Sequence, residues 1–381
     1  MTIVTFGYGA GCLSSSASSS VVCPPSESSP TLNTEVYVDG RLFTFFHFVQ
    51  IRWQLGALNT FQLSYGDPNR NHRWIREGSE VEIRVSWGTA TPVKYFSGIV
   101  SKMSRNVSDG RFVVTASGVN QGLYMRDKIA WDNDFVPLSY NNFKTSEMLS
   151  DLIAQVDSIE STIKPYSAEP SFSYKAGTNT NILTNFKKVA EYGGYEWLIN
   201  ADGKLIAREA KEAIAENAKF NLLLGPYDAF TALPDLPNII IRGATLSKDY
   251  NTIKNFYKVR GADGIYGTGF NQFSINKYGR KSEAEYSDED LTSVQACEIV
   301  ARRLAYINGE PKITIPIKIK GNTQLTVGDI VYCEDIDRQL FTSLDNPYLK
   351  VFQKNDTISQ SGWSSEMTIG SPKKQITDVI S

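Results

Sequence analysis

Histidine is nearly missing from this chain of 381 residues: His47 and His72 are the only two. Neither sits in an H-E-x-x-H pattern, and no G-x-S-x-G elbow occurs, so the motif-level signatures of zinc and serine hydrolases are both lacking. Cysteine is scarce as well. Cys12, Cys23, Cys297 and Cys333 are too few and too scattered for a disulfide scaffold. Cys297 falls in a helical pattern and Cys333 in a strand pattern, which fits small buried thiols in a reducing cytoplasm. Cys12 and Cys23 are spaced either to pair across a short loop or to stay free. Excess charge of one sign is also lacking: 39 Lys plus Arg face 41 Asp plus Glu, for a formal charge of −2. That balance argues against a dedicated nucleic-acid binder. No apolar run approaches the roughly 18 residues of a membrane helix, so no stable membrane insertion is expected. The first 34 residues hold one charge, Glu27, and lack the basic start of a secretory signal.

What is abundant is alternation. Ile313, Ile315, Ile317 and Ile319 alternate with Thr314, Pro316, Lys318 and Lys320, the period of a half-buried strand. A polar turn and Leu325-Thr-Val-Gly-Asp329 then lead into Ile330–Cys333, which predicts a hairpin. Val49, Ile51, Trp53 and Leu55 alternate with Gln50, Arg52 and Gln54; Val81, Ile83, Val85 and Trp87 alternate with Glu82, Arg84 and Ser86. Residues 35–128 thus give five or six short strands, with Asp109-Gly110 as the strongest hairpin signal, and predict a barrel or sandwich.

A length of 381 residues predicts two or three domains. Residues 1–34, with a serine run over Ser14–Ser20, read as a flexible segment whose start (Ile3–Tyr8) is apolar enough to dock on a partner. Residues 129–232 switch to α+β. One helix is capped at Thr145 with a stripe of Met148, Leu149, Leu152, Ile153 and Val156, and another runs from about Asn181 to Gly193-Gly194. A hairpin over Tyr195–Ala207 follows, then a short Ala-rich helix over 209–219. Residues 233–371 are β-rich again and carry one packed helix, 288–308, started by Ser287 or Asp288 and stopped at Asn308-Gly309. Its inward stripe is Leu291, Val294, Cys297, Val300, Ala301, Leu304 and Ala305. Residues 372–381 form a C-terminal tail. The fold class is β-rich α+β and multidomain, with two β-rich domains separated by a small α+β insert.

Candidate chemistry is sparse. His47 lies among Phe43, Phe45, Phe46 and Phe48, a structural setting. Gly261, Gly264, Gly267 and Gly269 resemble a phosphate cradle only superficially; no Lys-Ser/Thr follows, and a flexible loop between strands fits better. Glu334, Asp335 and Asp337 form an acidic cluster, read as a solvated turn in preference to a cation site. Asp288, Glu289 and Asp290 suit a helix N-terminus. Arg302 and Arg303 are expected on the outer face of the helix. No catalytic residue, cofactor or metal ligand emerges.

Three phrases carry a resemblance. They are Phe96-Ser-Gly-Ile-Val100 with Val113-Val-Thr-Ala-Ser-Gly118; Tyr174–Leu183 with Ala190-Glu-Tyr-Gly-Gly194 and Ala201-Asp-Gly-Lys-Leu205; and Leu325-Thr-Val-Gly-Asp329. In this order over residues 35–371 the chain resembles the tail-hub family: the baseplate hubs of contractile phage tails and the hub half of type VI secretion spike proteins. The resemblance implies two tail-tube-like antiparallel β-barrels and a homotrimer whose six barrels form a ring. It also implies a non-enzymatic role in the virion tail, assembled in the bacterial host cytoplasm. The implied partners are the tail tube protein, a spike or tail-tip/fibre protein, the tape measure protein and other baseplate proteins, with DNA only in passage through the lumen. Gln50, Arg52, Gln54, Lys318 and Lys320 are the candidate lumen-facing residues, because a water-filled channel suits polar strand faces. Residues 1–34 depart from the family pattern, and no lysozyme or needle domain follows the second barrel. A tail-associated receptor- or carbohydrate-binding protein, or a cell-wall hydrolase, is the alternative reading.

Overall fold

A computed structural model describes residues 31–67, 72–108, 111–132, 134–210, 213–224, 236–241, 244–335, 346–359 and 362–371. Seven strands come first: β1 (Leu32–Val38), β2 (Arg41–Phe43), β3 (Phe46–Gln54), β4 (Thr60–Gly66), β5 (Glu80–Trp87), β6 (Val93–Ser108) and β7 (Arg111–Val119). The alternation predicted for β3 and β5 holds, with Val49, Ile51, Val81, Ile83 and Val85 buried. The strand pairing begins at Leu32, inside the segment expected to be flexible, because Leu32, Val36 and Val38 reach the core. The tip Asp109-Gly110 and the Cys12 and Cys23 question lie outside the described residues. The strands flanking the tip do pair as a hairpin, Ser108 opposite Arg111.

The middle of the chain supplies α1 (Leu123–Asp127), β8 (Ser139–Lys144), α2 (Thr145–Ala154), β9 (Ser161–Ile163), β10 (Ser171–Lys175), α3 (Ile182–Gly193), β11 (Tyr195–Ile199) and β12 (Leu205–Glu209). The helix stripes are buried as their periodicity demands: Met148, Leu149, Leu152 and Ile153 on α2; Ile182, Phe186 and Val189 on α3. Thr145 is the first helical residue of α2 rather than its cap. Lys144 caps it, its N–H donating to Glu147 Oε2 at 3.0 Å. Asn181 caps α3 by accepting from the Thr184 N–H at 2.9 Å, and Gly194 ends it at φ 82°.

The last part contributes β13 (Ala218–Leu224), β14 (Asn238–Ile241), β15 (Ser247–Asp249), β16 (Phe256–Arg260), β17 (Tyr266–Phe270), α4 (Gln272–Tyr278) and β18 (Glu283–Ser287). It ends with α5 (Val294–Ile307), β19 (Lys312–Lys320), β20 (Ile330–Asp335), β21 (Tyr348–Ser359) and β22 (Gly362–Gly370). The Ala-rich helix expected over 209–219 is only a 3₁₀ turn at Ala215–Asn217, and Ala218 already starts β13. The helix expected from residue 288 starts at Val294, capped by Ser293 Oγ, which accepts from the Ala296 N–H at 3.1 Å. Leu291 is buried ahead of it, in a bridge with Tyr174.

The predicted hairpin over 313–333 does not form. β19 pairs with β15 and β22, whereas β20 pairs with β21 and lies parallel to β13. The connection is an arch: Leu325 and Val327 plug the core beneath it, and Asp329 Oδ2 accepts from the Thr326 N–H at 2.9 Å. A period of two says which side chains share a face and nothing about which strand lies alongside.

Fourteen of the described strands join in one sheet, which curls into a half-barrel. Both β-rich stretches belong to it, joined where β21 pairs antiparallel with β3, Gln353 opposite Gln54 and Ser359 opposite Phe48. Each keeps its own apolar cluster. Ile358 and Trp363, from β21 and β22, sit in the N-terminal one, and Trp53 touches both. Helix α5 packs on β16 and β17 and shares the core of the α+β unit, with Cys297, Val300 and Ala301 beside Phe186 and Tyr174.

A polar knot lies under the seam. Asp356 Oδ1 accepts from Trp363 Nε1 at 2.9 Å and Ser365 Oγ at 2.5 Å; its Oδ2 accepts from Trp53 Nε1 at 3.1 Å and Tyr95 Oη at 2.5 Å. Lys354, 1 % exposed, donates to Tyr95 Oη, to Leu325 O and to Asn322 O. Burial depresses the Lys354 ammonium pKa below its ordinary value, with Asp356 opposing that shift. The sequence Lys354-Asn-Asp-Thr357 looks polar on both faces, yet its inward side chains are the charged ones. β21 therefore runs to Ser359, well past the apolar stretch ending at Phe352.

Candidate functional site

The five residues expected to face a channel come together on one surface. Gln50, Arg52 and Gln54 point away from the buried Val49, Ile51 and Trp53 side of β3, and Lys318 and Lys320 point away from Ile317 and Ile319 on β19. The strands between them bring these positions into register. Arg52 lies opposite Asn355, Asn355 opposite Glu366, and Glu366 opposite Lys318. A second row runs Gln50, Thr357, Ser364, Lys320, and a third Gln54, Gln353, Thr368, Pro316. Paired residues share a face, so one continuous surface crosses β3, β21, β22 and β19.

The same face continues on the other side of β3. Gln50 is opposite Gln62, Gln62 opposite Ser117, and Ser117 opposite Lys102; the next row adds Ser64, Thr115 and Ser104. Seven strands, from β6 to β19, thus carry it, and at ~4.8 Å per strand its width along the curl is about 30 Å. Its side chains are mainly amides and hydroxyls. Arg52 Nη2 donates to Gln353 Oε1 at 3.0 Å, across 301 positions of sequence. Lys318 pairs with Glu366 at 2.7 Å, and Lys320 lies over the Trp87 ring, 4.5 Å from its centroid. Such a face hydrogen-bonds water well, and beyond the Lys318–Glu366 pair its charges are the cations Arg52, Lys102 and Lys320, each on a different strand.

Other sequence candidates resolve into structure. The glycines at 267 and 269 are not in a flexible loop but on β17, directly under α5: a Cβ on Gly269 would lie 2.1 Å from the Arg302 amide nitrogen, and one on Gly267 2.4 Å from that of Glu298. Absence of a side chain lets helix and strand backbones touch. Asp288 and Asp290 precede the helix and do not serve its dipole. They receive Lys188 Nζ from α3 at 2.9 and 2.5 Å, and Tyr192 Oη donates to Asp288. Burial raises the Asp290 carboxyl pKa, with Lys188 opposing. Arg302 is exposed as expected; Arg303, expected beside it outside, is buried. Consecutive helix residues point about 100° apart, so the pair could not share one face.

His47 is exposed, with its ring against Gly66, and His72 packs edge-on to Phe43 at 5.1 Å. Glu334 is buried at the end of β20 and not solvated, while Asp337 lies outside the described residues. Among the described residues no three His, Cys, Asp or Glu side chains cluster as metal ligands, and no helix is long and apolar enough to cross a membrane.

No family model and no curated protein sequence matches the chain. Solved structures do share its fold. The 43 kDa tail protein of prophage MuSo2 from Shewanella oneidensis superposes with a TM-score of 0.64 at 11 % identity, over 90 % of this chain and 99 % of that one. A tail protein from Neisseria meningitidis MC58 gives 0.63 at 13 % identity, over 89 % and 96 %. The c3393 protein of E. coli, a type VI secretion component described as similar to the T4 tail proteins gp27 and gp5, gives 0.53 at 9 % identity, over 89 % and 77 %. Across nearly its whole length, this chain has the fold of phage tail proteins and of a type VI secretion component.

Proposed function

We propose that the chain is a structural tail hub, three copies of which ring the axis of a phage tail or tail-like particle and adapt a sixfold tube to a threefold spike or tip. The observation that carries this reading is the polar face of the curled sheet, seven strands wide, on a fold otherwise found in tail proteins. In the proposed assembly the two β-rich stretches act as two tube-like barrels per chain, six per ring, and Gln50, Arg52, Gln54, Lys318 and Lys320 line the lumen. Among the described residues β2 pairs on one side alone, with β1, and such a sheet edge favours a ring, since edges in an assembly are covered by neighbouring subunits. Closed rotational symmetry stops growth at a ring.

The chemistry of the face suits a conduit. Nucleic acid adheres through cations that displace its counterions. A surface mainly of amides and hydroxyls, with Lys318 neutralised by Glu366 and the cations Arg52, Lys102 and Lys320 spread over separate strands, holds a passing polyanion only weakly. The tube, spike or tip, tape measure and baseplate proteins are the proposed partners, and no catalysis is assigned. A density map of the intact particle tests the reading: three copies around the axis are expected, whereas six copies, or one, would overturn it.

A further inference from the structure

A second site lies away from the polar face. Where the α+β unit meets the large sheet there is a half-open cavity of about 300 Å³, bordered by α3, β11, α5 and β21. Its cationic lining is Arg303, Lys350 and Lys187, and its acidic lining is Glu191 and Glu196. Glu196 is already engaged twice: Oε2 accepts from Lys350 Nζ at 2.6 Å and Oε1 from Arg208 Nε at 2.9 Å. That triad holds two cations against one anion. Arg303 adds a further charge. It is 6 % exposed, its Nε is buried without a hydrogen-bond partner, and among the described residues no carboxylate lies within salt-bridge distance of it, Glu191 acting on it only from farther off. Burial lowers its pKa only to about 10, so it stays charged near neutrality. The guanidinium is packed against Gly194, where a Cβ would come within 2.7 Å of Arg303 Nη1.

A desolvated guanidinium without an anion is strongly unfavourable, and a neighbouring excess of positive charge makes it more so. One bound anion relieves both. A planar carboxylate matches the guanidinium fork in two parallel hydrogen bonds. A phosphate dianion fits less well, because Glu191 stands exposed among the lining residues and Glu196 lies behind Lys350. We infer that this cavity is a carboxylate-binding site, with Arg303 as its principal ligand and Lys187 and Lys350 supplying the surrounding positive field. The carboxylate can belong to a small molecule or to an acidic residue or C-terminus of a partner polypeptide. The inference stands whether or not the chain is a tail hub.

Calorimetric titration of the purified full chain with succinate, with inorganic phosphate and with a short peptide ending in Asp-Glu tests it. Succinate or the peptide should bind at one site, with affinity weakened about tenfold or more by Arg303→Met and unchanged by Lys102→Met, which alters a remote cation on the polar face. Succinate binding without peptide binding identifies a small-molecule site, and the reverse identifies a docking site for an acidic chain. Should Arg303→Met fail to fold by circular dichroism, Lys187→Met decides: this residue is exposed, and its loss should weaken binding about threefold. Binding that is absent for both carboxylates, tighter for phosphate, or indifferent to the Arg303 variant (to the Lys187 variant if the former does not fold) overturns the proposal.

Discussion

At the scale of single residues, the strongest commitments of this fold are buried polar groups. Asp356 satisfies donors from β3, β6 and β22 at once, so Asp356→Ala orphans those donors and strips the buried Lys354 of its counter-charge. A loss of about 3–5 kcal/mol is expected in urea unfolding, the range for breaking one side of a buried pair. The tyrosines set the alkaline limit. Burial first, and then Asp356, Asp151, Asp290 and Asp288 respectively, raise the phenols of Tyr95, Tyr140, Tyr174 and Tyr192; burial and Asp67 push Tyr65 to about 12. Folded phenols therefore keep protons that unfolded ones release near pH 10, and the stability they contribute is complete below that value and lost as pH rises from 10 towards 12. Lys350 and Lys354, depressed by burial, act oppositely as pH rises towards 10.5, but they are outnumbered. The melting temperature should fall steeply above about pH 10, with phenolate absorbance appearing together with unfolding. Phenolate that appears while the chain stays folded would contradict these burials. The exposed side of this chemistry was legible in the sequence, since Gln50, Arg52 and Lys318 alternate with apolar neighbours. Lys354, Asp356 and Arg303 were not, because a buried charge looks like an exposed one until its partners, hundreds of positions away in the case of Tyr95, are brought to it.

At the scale of elements, periodicity located most strands and both long helices of the α+β unit. What it left open was adjacency. The isoleucines of β19 announced a half-buried strand, but its partner β22 lies some fifty positions on and an arch replaces the expected hairpin. Helix α5 illustrates a second limit. Its stripe was readable, while its partner strand, β17, hid behind glycines that suggested a loop. Gly269→Ala is expected to force α5 off β17 and to cost about 1–3 kcal/mol or more by denaturant unfolding, the range for overpacking. A wild-type midpoint in that variant would mean that helix and strand do not touch as described.

At the scale of the whole molecule, the polar face is the feature an assembly would use. With Cys12 and Cys23 replaced by serine, Gln50→Cys should react freely with a bulky maleimide in the isolated chain and resist it in intact particles. Equal reactivity in both settings would place β3 outside any channel. The seam between β3 and β21 has a further consequence for how the protein is made. Residues paired across it are separated by 301 positions, as with Arg52 and Gln353. On a ribosome adding roughly 5–20 residues per second, β3 therefore waits about 15–60 s for its neighbour. During that interval the N-terminal cluster lacks Ile358 and Trp363, and one flank of β3 offers bare amides and carbonyls to any nascent chain nearby. Two ribosomes on one message would present the same unfinished edge to each other, so the arrival of β21 closes an edge at which sister chains could pair wrongly.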